Sequence, residues 1–163
     1  MRKFLFTNIF IFASLLLFAQ SPLTKGSKQI NLGVGLSEFA IPVYVGLDYS
    51  IHDDISVGGE LSYRSYKDNK VTNKYNVIGI LGNGNYHFNN LLGIPSEWDF
   101  YGGLNLGFFI WNSNNTSDDH TSGIGLGAQI GGRYYFNSKY GINLEFSGGN
   151  TLSEGKFGLS IRL

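Results

Sequence analysis

The feature that most constrains this chain is a hydropathy period of two, kept from Lys28 to the last residue. Ile30, Leu32, Val34 and Leu36 share one face of an extended chain, and Gln29, Asn31, Gly33 and Gly35 share the other. The next segment sets Val43, Val45, Leu47 and Tyr49 against Tyr44, Gly46, Asp48 and Ser50. Then Ile55, Val57, Gly59, Leu61 and Tyr63 oppose Ser56, Gly58, Glu60, Ser62 and Arg64. The pattern returns over 99–110, 124–136, 142–147 and 157–163. The segment 75–88 keeps it least well: Ile78, Ile80, Tyr86 and Phe88 lie on the apolar face, but Val77 and Leu81 fall on the other. Pro42 cannot donate to a ladder and is expected at a strand start or a bulge.

These segments predict eight strands of about ten residues with short connections. No helical period of 10–15 residues lies between them, which argues against an α/β fold. The connections fall into two sets. Segments 51–54, 89–97 and 137–139 form one end, and 37–40, 67–74, 112–121 and 150–155 the other. Both termini then lie at the first end.

Before the alternation begins, the chain carries an address. Arg2 and Lys3 precede an apolar run from Phe4 to Phe18, followed by Ala19, Gln20 and Ser21. Fifteen helical residues reach only about 22 Å, short of a hydrocarbon core of ~30 Å, so the run reads as a secretory signal peptide over 1–20. Cleavage is expected after Ala19 or Gln20. Residues 21–27 then form a periplasmic N-terminal segment, and 28–163 a single barrel domain. No later apolar run is long enough for a membrane helix.

Composition narrows the function. The chain has no cysteine, which excludes a disulfide scaffold, a cysteine zinc site and a thiolate nucleophile. Twelve basic residues balance twelve acidic ones, which argues against a nucleic-acid partner. Without Arg2 and Lys3 the balance is ten against twelve, a net charge of −2.

Alternation alone fits two closed barrels: a lipocalin-like carrier, apolar inside, and a membrane barrel, apolar outside. Three features favour the second. The polar face is mostly Gly, Ser and Asn, which suits a crowded eight-stranded interior, and lysine is confined to expected loops and turns, with Lys156 at a strand start. The charges on that face, Asp48, Glu60, Arg64, Asp99, Arg133, Glu145 and Arg162, have both signs and predict an internal ion-pair network. A turn centred near Lys139 would set Arg133 opposite Glu145. Finally, Tyr49, Tyr86, Phe88, Trp98, Phe100, Tyr134, Phe136 and Tyr140 cluster at one end of the strands, as interfacial aromatics do.

The segments Gly84-Asn85-Tyr86-His87-Phe88 and Trp98–Phe108, with the closing strand 157–163, resemble the small bacterial outer-membrane β-barrels, OmpX-like or similar to the membrane domain of OmpA. The resemblance covers about 28–163. It implies an eight-stranded antiparallel up-and-down transmembrane barrel in the outer membrane, with 51–54, 89–97 and 137–139 periplasmic and the other four loops external. It also implies insertion by the barrel-assembly machinery, contact with outer-membrane lipids and lipopolysaccharide, and a monomer. The closing residue is Leu163, where the family usually ends in Phe. No peptidoglycan-binding domain is expected after the barrel.

Some barrels of this architecture are enzymes, and one cluster here has catalytic residue types. Asp118, Asp119, His120 and Ser122 cluster in an expected external loop, and the spacing of His120 and Ser122 is similar to the His-x-Ser of lipid A deacylase barrels. The rest of that motif is missing, and a solvated loop is the expectation. The three carboxylate and imidazole groups there also compose a weak cation-site candidate. His87 faces inward and is expected to bond a polar neighbour; His52, beside Asp53 and Asp54, is expected in solvent. No cofactor is implied. The expectation is a non-enzymatic structural or surface-interaction barrel with a filled lumen. The alternatives are a lipid A-modifying enzyme, a diffusion pore and a soluble lipocalin-like carrier.

Overall fold

A computed structural model describes residues 23–37, 40–68, 73–113, 122–151 and 153–163. The expected leader, and Asp118, Asp119 and His120, lie outside the described residues. Eight strands follow in order: β1 (Lys28–Ser37), β2 (Val43–His52), β3 (Ile55–Asp68), β4 (Asn73–His87), β5 (Trp98–Ser113), β6 (Gly123–Tyr135), β7 (Tyr140–Gly149) and β8 (Glu154–Arg162). Every sequential pair is antiparallel, and β8 returns to β1, so the sheet closes into a barrel. Closure leaves no edge along the paired lengths, which is one of two ways a backbone can satisfy its polar groups in lipid.

The strands are staggered. Stepping across register partners from Gln29 leads through Asp48, Gly58, Asn83, Asn105 and Gly127 to Gly149. That walk begins at the bottom of β1 and ends at the top of β7. A closed sheet must tilt its strands in this way.

The faces sort as alternation requires. Leu104 is 71% exposed and Leu106 55%, while their neighbours Tyr101 and Phe109 point inward and are buried. Aliphatic and aromatic side chains coat the outside of all eight strands; Ser, Asn, Gln and paired charges fill the inside. A soluble carrier would have the opposite sorting.

Several expectations change in detail. The strands are not uniformly about ten residues. The middle ones, β3, β4 and β5, have 14, 15 and 16. Their outer ends absorb residues whose polarity reads as loop, because above the lipid the outward face no longer needs to be apolar. The 89–97 connection contains one helical turn, α1 (Asn89–Leu92). Pro42 sits just before β2, buried against β1, where its carbonyl accepts from Gly35 N–H at 2.8 Å. The 150–155 connection is shorter than expected because β8 already begins at Glu154. Residues 23–27 fold onto the end of the barrel that carries the termini: Leu23 is buried, Gly26 N–H donates to the Ser50 carbonyl at 2.8 Å, and Lys25 N–H to Asp53 at 2.8 Å.

Candidate functional site

The chemistry of this chain is concentrated inside the barrel, in two clusters stacked along its axis. In the lower one, Arg133 on β6 reaches across the lumen to Asp48 on β2 at 2.7 Å and along the sheet to Asp99 on β5 at 2.8 Å. The other oxygen of Asp99 meets His87 Nδ1 at 2.7 Å, and His87 Nε2 lies 2.9 Å from Ser56 Oγ. Asn31 donates to Asp48 at 2.8 Å.

In the upper cluster Lys156 on β8 is the centre. Its ammonium meets Glu60 at 2.7 Å, Glu145 at 3.2 Å and Glu154 at 3.3 Å. Glu154 also holds Arg64 at 2.9 Å, and Arg64 donates to Ser37 at 3.2 Å. Three carboxylates converge where a cation belongs, and the protein supplies that cation itself. The Tyr101 hydroxyl links the levels by donating to Glu145 at 2.8 Å, while its ring lies 4.2 Å from the Arg133 guanidinium carbon.

Glycines make room for the large inward groups. A Cβ on Gly131, the register partner of Tyr101, would run into the Tyr101 ring. One on Gly125 would stand 2.6 Å from the Phe109 ring. With these spaces filled, little is left: two voids inside the barrel are each about 20 Å³, room for about one water. Val77 and Leu81, the residues on the wrong face for simple alternation, join Tyr75 and Phe109 in an apolar layer near the outer mouth.

The predicted residues are thus grouped differently from the sequence expectation. Asp48, Asp99 and Arg133 meet, and Glu60, Glu145 and Arg64 are joined through Lys156 and Glu154. Arg133 does not face Glu145. The turn is centred one residue earlier, so Arg133 pairs with Asn143 and Glu145 with Gly131. Lys156 stands near the start of β8, as expected, and is buried in the lumen. Extending the alternation of Gly158, Ser160 and Arg162 backward by two and four residues would have found Lys156 and Glu154. Arg162 stands apart from both clusters: its guanidinium lies 3.4 Å from the Tyr135 ring centre and donates to the Ser96 carbonyl at 3.3 Å. The Tyr135 hydroxyl donates to Gln29. In the expected external loop only Ser122 is described; it is exposed, and its hydroxyl accepts from Trp111 N–H at 3.0 Å. His52 is exposed in its turn.

Ser56, His87 and Asp99 have the order of a nucleophile, its base and an orienting acid. They lack what a hydrolase needs. Their exposures are 0%, 1% and 0%, and neither void inside the barrel is lined by Ser56 or His87. Arg133 holds the far oxygen of Asp99, so the chain reads as part of the ion-pair lattice. Among the described residues no group of three His, Asp or Glu side chains is arranged to hold a metal.

Outside, the aromatics form a belt at the end that carries the termini. Trp98 and Tyr134, register partners, lie 4.7 Å apart; Trp98 stacks on Phe100 at 5.7 Å, and Tyr86 meets Phe88 edge-on at 5.4 Å. Amphipathic rings concentrate where lipid meets water.

No protein-family model matches the sequence, and no curated protein matches it. Solved structures do. The outer membrane protein OprG from Pseudomonas aeruginosa superposes with a TM-score of 0.66 at 11% identity, covering 86% of this chain and 97% of that one. The N-terminal β-barrel domain of Pseudomonas aeruginosa OprF gives 0.60 at 19%, covering 85% and 98%. Ail, the attachment invasion locus protein of Yersinia pestis, gives 0.58 at 14%, covering 86% and 100%. At these identities the likeness is one of fold. Closed topology, an apolar coat, an aromatic belt and an ion-paired filling agree with it: the chain has the fold of these small eight-stranded β-barrels.

Proposed function

We propose that this protein resides in the bacterial outer membrane as a non-enzymatic barrel, with a structural role or one exercised through its external loops. A leader over 1–20 delivers it to the periplasm, the barrel-assembly machinery inserts it through the β8 strand, and it works as a monomer. Lipids and lipopolysaccharide are its permanent neighbours. The observation that carries this reading is the pairing of opposites: an apolar exterior around a lumen closed by Arg133–Asp48–Asp99 and Lys156–Glu60–Glu145–Glu154. A carrier would need an apolar cavity and a pore an open one. The lattice leaves neither, and it keeps Ser56 from any substrate.

Two measurements test this. Expressed in a Gram-negative host, the protein should stay with the outer-membrane fraction through a high-salt and urea wash and show heat-modifiable gel mobility. In planar bilayers it should show no sustained conductance of porin size. Recovery in the soluble fraction, or a steady open-channel current, would reject the reading.

A further inference from the structure

The outer coat is not uniform. On the lipid-facing side of β5–β8 it is broken by a groove of about 550 Å³. Its floor includes Gly132, whose place in the outward row lies between register partners Phe100 and Leu144 and over which the Phe100 ring leans, 3.1 Å from where a Cβ would stand. Where those two rows present large side chains, Gly132 presents none. Trp98, Tyr134 and Ile142 line the groove toward the terminal-bearing end, and Ile130, Phe146 and Phe157 line it toward the membrane middle. The volume falls within the range of about 300–1,000 Å³ typical of small-molecule sites.

Below the groove, the turn between β6 and β7 is polar and cationic. Lys139 stands in the turn directly below Tyr140 and Ile142, with its ammonium 5.8 Å from the Tyr140 ring centre. Arg162 is bonded through its backbone N–H to the Lys139 carbonyl at 2.9 Å, but its guanidinium turns inward onto the Tyr135 ring, so Lys139 is the cation that this corner presents. Among the described residues, the Tyr134 and Tyr140 hydroxyls and the Trp98 indole N–H make no hydrogen bond to protein. A second groove, of about 440 Å³ around the outward Gly59, offers a contrast: Ile30, Val45, Leu47, Leu61 and Ile80 line it, with no aromatic side chain and no lysine or arginine.

We propose that the Gly132 groove is a binding site for an anionic glycerophospholipid of the periplasmic leaflet. One acyl chain lies along Gly132 between Phe100 and Leu144, and the phosphate takes Lys139 with the Tyr and Trp donors of the rim. The arrangement commits to that leaflet because the aromatic end of the groove and the cationic turn below it lie at the turn side of the barrel. This rests on the membrane reading above.

The chain's two tryptophans make the test direct. Trp98 borders the groove; Trp111 points into the barrel. A W111F chain is refolded into phosphatidylcholine vesicles in which a small equal fraction is either acyl-brominated phosphatidylglycerol or acyl-brominated phosphatidylcholine. Bromine quenches a nearby indole. The expected result is a preference of Trp98 for the anionic lipid by about fivefold, the factor one basic residue gives near an anionic group. The preference should collapse in K139Q, and quenching by both lipids should fall in G132L, which fills the groove. Equal quenching by the two lipids, or a preference unchanged by K139Q, overturns the proposal while leaving the membrane reading intact. No quenching by either lipid overturns the membrane reading itself. Should W111F fail to fold, judged by heat-modifiable mobility, the same comparison in the wild-type chain gives the answer over a constant Trp111 background.

Discussion

At the scale of single residues, the structure rests on a few positions where size or charge is dictated by what lies across the barrel. Gly131→Ala should destabilise the protein by about 1–3 kcal/mol, because its methyl meets the Tyr101 ring that reaches Glu145. Gly84→Ala is the control: an added Cβ there meets nothing within 4 Å, and the change should be close to neutral in the same urea unfolding experiment. Lys156→Gln should cost about 3–5 kcal/mol, since three carboxylates lose their common cation. The double variant with Glu60→Gln should recover part of that loss. If the two single changes simply add, Lys156 and Glu60 are not coupled and the upper cluster is misassigned. Little of this was open to sequence reasoning. The inward face of most strands was legible, and so were seven of the charges on it, because alternation is a local property; Lys156 and Glu154, at the start of β8, were missed. Which charges meet was not. Arg133 to Asp48 is a contact across the lumen, fixed by how the sheet closes, and a turn-centred guess reaches only neighbouring strands.

At the scale of the strand, depth decides what a side chain may be. On β5 the outward residues run from Trp98 at the aromatic belt, through Leu104 and Phe108, to Asn112. Leu104→Arg should destabilise the inserted barrel by about 2–4 kcal/mol, as a charge near the midplane of such a barrel does. Asn112→Arg should cost no more than about 1 kcal/mol, since a strand rising ~3.3 Å per residue has left an apolar band of ~25 Å by then. Refolding titrations into lipid vesicles would read both; equal costs would mean that β5 does not cross the bilayer along this direction. The same gradient explains where sequence reading of the elements was right and where it stopped. The eight strands are visible while one side must be greasy. Above the membrane that requirement lapses, and Lys67, Asp68, Asn73, Lys74 and Asn112 then look like loop although they are paired in the ladder. Glu154 and Gly155 look like a turn for the same reason.

For the whole molecule, strand length sets an uneven rim. β3, β4 and β5 rise past their neighbours, while β7, β8, β1 and β2 have only ten or nine residues each. The outer ends of β3, β4 and β5 therefore stand farther from the bilayer than those of the short side, and a surface partner meets them first. Beneath that rim Val77 and Phe109 are buried on the β4–β5 side, next to Arg64, the register partner of Val77, which pairs with Glu154. Val77→Ala with Phe109→Ala should leave the protein folded but raise its leak current in planar bilayers above that of the parent. An unchanged current would assign the seal to the ion pairs alone.

The position of Lys156 bears on how such an object is born. The lysine that gathers Glu60, Glu145 and Glu154 sits on β8, the strand that closes the barrel by docking against β1. Until it arrives, a half-made sheet carries surplus negative charge on its concave side, in surroundings that penalise it. Zipping shut and becoming electrically quiet are one event, so incomplete cylinders are disfavoured species, and a chain cut short before residue 156 should be cleared by envelope proteases instead of accumulating.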